Sequence, residues 1–130
     1  MLFRSCGGIA ASLGTLPEGP VGHWLSHVVD VLDDHRSAVE CLPDPAERVN
    51  RLVEINVRDQ LLHLAQTPTV QAAFAQGRPL TLHGWVYDLR DGLIKPLLDI
   101  DASTNLEDVD RKSTRLNSSH TDISRMPSSA

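Results

Sequence analysis

Cys6, Gly7 and Gly8 set a thiol beside two residues without side chains, close to the start of the chain. A thiolate is a zinc ligand, and bare glycine backbone lets a small molecule approach closely. One thiolate cannot close a tetrahedral zinc shell. The residue three positions earlier, where an H-x-x-C pair would carry its imidazole, is Phe3, and a phenyl ring coordinates nothing. Taken alone, Cys6 reads first as a small buried thiol at a glycine turn.

Three other groups could do chemistry. His23 and His27 stand four apart in "HWLSH", on one side of a helix with Asp30 a turn further. The glutamate of an H-E-x-x-H metalloprotease is absent, so the pair encodes no general base and reads as helix-flank histidines. Asn56 and Gln60 also stand four apart, inside a stretch of Val49, Leu52, Val53, Val57, Leu61 and Leu64. Their spacing predicts two amides facing the core, each needing hydrogen-bond partners, because burying an amide without one costs about 1–3 kcal/mol. In "HGWVYDLRDGLI", Trp85 and Tyr87 share a strand face as buried aromatics, and Asp88 and Asp91 read as turn residues.

Helices must carry the first three groups. "CGGIAASL" predicts a short helix from Gly7 or Gly8. Residues 21–36 place Trp24, Leu25, Val28, Val31 and Leu32 at helical spacing. Asp44 before Pro45 is an N-cap with proline at the first helical position, and predicts a long helix over 46–66. Thr67, Pro68 and Gly77 frame a further short helix. Residues 79–89 alternate, with Leu80, Leu82 and Val86 on one face, and "RDG" turns the chain into a return strand. Pro96 cannot donate to a ladder, so that strand is expected to lie at an edge or to end near Pro96.

The chain of 130 residues is 41% hydrophobic and 22% charged, with formal net charge −5. That suits one globular domain and argues against phosphate-neutralising nucleic-acid binding. Neither a membrane span nor a signal peptide is visible, so the expected location is the cytoplasm. Cys6 and Cys41 are expected as free or metal-bound thiols rather than a disulfide. Residues 111–130 hold six serines and carry +3 against −8 for the rest. They are expected to be disordered, and with residues 1–5 they resemble translated adapter or vector sequence.

Taken in order, "CGGI", "HWLSHVVDV", "RLVEINVRDQLLHL" and "HGWVYDLRDGLI" closely resemble the C-terminal part of the β-class carbonic anhydrases. There H-x-x-C-G-G precedes N-V-x-x-Q and H-G-W-x-Y. The resemblance covers Cys6 to about Asp101, within a partial domain expected over residues 6–110. It implies a truncated α/β fold, with amphipathic helices plus a C-terminal β-hairpin and the first sheet strands missing. It also implies dimers or higher oligomers, with zinc held by two cysteines and a histidine. Zinc lowers the pKa of its bound water to about 7, and the hydroxide converts carbon dioxide to bicarbonate.

Carried over by motif, Cys6 is the second cysteine ligand, and Gly7 and Gly8 are backbone near the substrate. Asn56, Gln60, Trp85 and Tyr87 belong to architecture, interface or the surroundings of the site. With Phe3 at the histidine position and the other cysteine lacking, the chain as written is expected neither to retain zinc nor to be active. The alternative is a non-catalytic helical interaction module.

Overall fold

The computed structural model describes residues 2–4 and 6–115. A short strand β1 (Leu2–Phe3) leads into helices α1 (Gly7–Ser12), α2 (Pro20–Asp34), α3 (Arg36–Glu40), α4 (Pro45–Gln66) and α5 (Pro68–Ala75). Strands β2 (Leu82–Asp88) and β3 (Leu93–Ile100) and helix α6 (Leu106–Arg115) complete the chain.

The helix ends follow local chemistry. Asp44 Oδ1 accepts from the Ala46 amide at 3.0 Å, and Pro45 opens α4 where no intrahelical donor is needed. α2 starts after Gly19, whose φ of 91° a side chain would disfavour. Buried residues on α2 (Leu25, Val28, Val31, Leu32) meet those of α4 (Leu52, Val53, Val57), with Ile9, Val39 and Val86 closing the cluster. A second cluster joins Leu61, Leu62 and Ala65 of α4 to Ile100 of β3. α4 is therefore the shared spine of both. Trp24 departs from the expected apolar face of α2: its side chain is 68% exposed.

The sheet order is β1-β2-β3. β2 and β3 form the expected antiparallel hairpin, closed by Gly92 at φ 71° and by Asp91 Oδ1 accepting from the Leu93 amide at 2.9 Å. Pro96 lies on the edge strand opposite Trp85, beside a register shift between Gly84 and Trp85. Gly84, Val86 and Asp88 are buried on β2, while Trp85 and Tyr87 are half-buried.

The two ends of the described chain join this framework. Leu2 and Phe3 pair in parallel with Val86 and Tyr87, and the Arg4 amide donates to the Tyr87 carbonyl at 2.8 Å. At the other end α6 runs through Arg115, five residues beyond the point where disorder was expected. Asn105 Oδ1 accepts from the Glu107 amide at 3.0 Å, and Leu106 and Val109 pack on the second cluster. A cap and two apolar contacts hold its first turns. The remainder of the expected disorder, 116–130, lies outside the described residues. Among the described residues no helix is long and apolar enough to cross a membrane.

Asp88, expected only as a turn residue, is a buried hub. It is 1% exposed and accepts from Arg90 Nη2 at 2.8 Å and Nε at 3.0 Å. Arg4 Nε lies 3.5 Å and Lys95 Nζ 3.7 Å from the same carboxylate. Arg4 also reaches Glu54 on α4 at 2.9 Å. The hub thereby ties β1, α4 and the hairpin together.

The hydrogen-bonded Arg90 guanidinium holds the Asp88 carboxyl well below the usual carboxylate range, against the opposing effect of burial. A carboxyl with a lowered native pKa stabilises the fold above its unfolded value, about 3.9, and loses that contribution as pH falls through the native value. Asp88→Asn removes this pH-linked part. Thermal melts between about pH 2 and 6 should therefore show a shallower acid decline for the variant than for the parent. Parallel curves would show that Asp88 does not drive the decline.

Candidate functional site

Cys6 occupies the N-cap position of α1, with its carbonyl accepting from the Ala10 amide at 2.9 Å. Its thiol is free and half-buried, as is expected of an unpaired cysteine, and Cys41 is free and exposed. Gly8 packs closely: a Cβ there would stand 3.5 Å from a Leu25 methyl, 3.6 Å from the Trp24 ring and 3.9 Å from Cys6 Sγ. Gly7 faces open space instead.

A cleft of about 780 Å³ runs between α2 and α4 from Cys6 to the start of β2. Of the residues singled out by sequence, Cys6, Gly8, His27, Asn56 and Gln60 line it, while Gly7, His23, Trp85 and Tyr87 do not. Asn56 is buried as expected, 6% exposed. Gln60 is exposed and looks into the cleft, which corrects the expectation of two core amides. Helical spacing fixes the side of α4 on which Gln60 lies, but α2 does not cover that level.

Asn56 Oδ1 is buried and has no hydrogen-bond partner among the described residues. Two further cleft residues on the same side of α4, Asp59 and His63, went unremarked in the sequence. Their signal is the spacing 56, 59, 60, 63, which is one helix stripe. Asp59 Oδ2 lies 3.1 Å from His63 Nδ1. Burial pushes the Asp59 carboxyl up, against the pull of His63 and His35.

His83, at the far end of the cleft, meets Asp99 across the hairpin through Nδ1 at 2.7 Å. Its ring lies 5.3 Å from that of Trp85. Among the described residues no three His, Cys, Asp or Glu side chains form a group able to hold a metal ion. The described donor set therefore does not fit a zinc centre: Cys6 is a single ligand, and His23 and His27 find no third partner.

A family model described as carbonic anhydrase matches residues 3–94. A carbonic anhydrase of Emericella nidulans is 36% identical over 107 residues, covering 82% of this chain and 46% of its own length. Among solved structures, the Coccomyxa β-carbonic anhydrase in complex with acetazolamide superposes with a TM-score of 0.73 at 29% identity. That match covers 87% of this chain and 57% of the other. Tetrameric β-carbonic anhydrases of Sordaria macrospora give 0.69 at 30% identity, covering 75% and 50%. The chain spans about half the length of the relatives it matches.

Proposed function

Because the chain belongs to the β-class carbonic anhydrase family, we propose that its ancestral chemistry is the zinc-dependent hydration of carbon dioxide to bicarbonate, a lyase reaction. We propose also that residues 1–130 by themselves do not perform it. The observation that carries the first part is the meeting of two pairs distant in sequence, Cys6 with Gly8 and Asn56 with Gln60, on one cleft of a matching fold.

In this reading Cys6 is a zinc-ligand position, and the backbone of Gly7 and Gly8 borders the substrate. Asn56 and Gln60 shape the wall beneath, while Trp85 and Tyr87 support it from the sheet. Zinc would supply an activated water, but a lone thiolate does not close its coordination shell, and shell closure is the source of the affinity. Assembly with further copies, as in the tetrameric Sordaria enzymes, and a cytoplasmic location belong to the same proposal.

The purified chain should contain far less than one equivalent of zinc by elemental mass spectrometry. It should also hydrate carbon dioxide no faster than buffer in a stopped-flow indicator assay. Near-stoichiometric zinc together with turnover, both lost in Cys6→Ala, would sink the claim of inactivity and leave the family assignment standing.

A further inference from the structure

The α2–α4 cleft carries a charge pattern that carbon dioxide chemistry does not use. Asp30 and Asp34 of α2 and Asp59 of α4 line it, and no lysine or arginine does. Asn56, nine-tenths buried on the same wall, holds an acceptor oxygen that no donor in the described residues meets. The neighbouring Asp59 carboxylate is only partly buried and already faces His63 Nδ1 at 3.1 Å through Oδ2. Buried acceptors are ordinarily satisfied, so Asn56 Oδ1 marks where a donor belongs, beside the Asp59 carboxylate. Trp24 and Leu61 supply apolar wall, and an indole face attracts cations. The volume is that of a small-molecule site.

We propose that this cleft binds a small organic ammonium ion with an apolar body. Its N–H groups would meet Asn56 Oδ1 and Asp59 Oδ2, with the body lying against Trp24 and Leu61. The proposal shares its cleft with Cys6 and Asn56 of the proposed site, but it rests on neither zinc nor carbon dioxide, so the two readings can fail separately. A cation beside Asp59 also relieves the cost of burying that carboxylate, the cause of its raised pKa. Asp34, which acts on Asp59 through space, would reinforce the attraction.

The test is calorimetric titration of the full chain at low salt with benzylammonium, and with benzyl alcohol as the neutral isostere that keeps one donor. The expected result is saturable one-to-one binding of benzylammonium, with benzyl alcohol weaker by about tenfold or more. Asp59→Asn should weaken the amine by a similar factor and Asp34→Asn by less. Glu18→Gln, exposed and outside the cleft, should leave it unchanged. Equal binding of amine and alcohol, or full affinity in both Asp59→Asn and Asp34→Asn, would overturn the proposal. So would sedimentation showing a stable dimer that binds no amine, because a second copy would then fill the cleft. If Asp59→Asn does not fold, judged by circular dichroism, the Asp34→Asn and benzyl alcohol comparisons decide.

Discussion

Gly22→Ala is expected to destabilise the protein by about 2 kcal/mol, although alanine is the better helix former. Inside a helix, alanine is favoured over glycine by about 1 kcal/mol. Gly22 is buried on α2, and a Cβ there would overlap the Pro17 carbonyl oxygen and approach its carbon to 3.1 Å. The obstacle is backbone, in a loop bounded by Pro17 and Pro20, so no side-chain rotation relieves it. Overpacking of this kind costs about 3 kcal/mol, which exceeds the helix-propensity gain. Urea titration should show a lower midpoint at unchanged slope. An equal or higher midpoint would mean that residues 16–19 shift away without loss.

Leu52→Ala should cost more, about 3–5 kcal/mol. Leu52 is 0% exposed and sits in the α4 cluster with Leu25, Val39, Val53 and Val86. Truncation removes the transfer free energy of its methyl groups and leaves a cavity that helices on one side and a strand on the other cannot fill. Leu52→Met, of similar volume, should cost less than about 1.5 kcal/mol. If the two variants unfold at the same denaturant concentration, the site is more plastic than the packing implies. A stability this size is a large share of what a small domain possesses, so Leu52→Ala should also raise its sensitivity to proteolysis at 37 °C.

The elements were legible in sequence where local chemistry decides them. The Asp44–Pro45 cap, the apolar stripe of α4 and the turn at Gly92 each need only a few neighbouring residues. The resemblance left Asn56 to architecture, interface or the surroundings of the site. Its place on one cleft with Cys6 was not legible, since fifty residues of chain separate them. Asp88 was underestimated for the same reason. Two of its cations, Arg90 and Lys95, are close in sequence, but the contact to Arg4 joins opposite ends of the domain. Gln60 was misplaced because a helix stripe tells which way a side chain points, not what stands in front of it. α6 was not foreseen, because the two apolar contacts that anchor it are long-range.

The parallel pairing of β1 with β2 also bears on the order in which the molecule is built. Leu2 meets Val86, so that contact spans most of the domain, whereas the β2–β3 hairpin and the turns of α4 close over short distances. Loop-closure entropy delays distant pairings relative to local ones. β1 is then the last strand to settle during folding and the first to exchange its amide hydrogens. Cys6 follows three residues later, so the thiol takes its place only when the rest of the framework already stands.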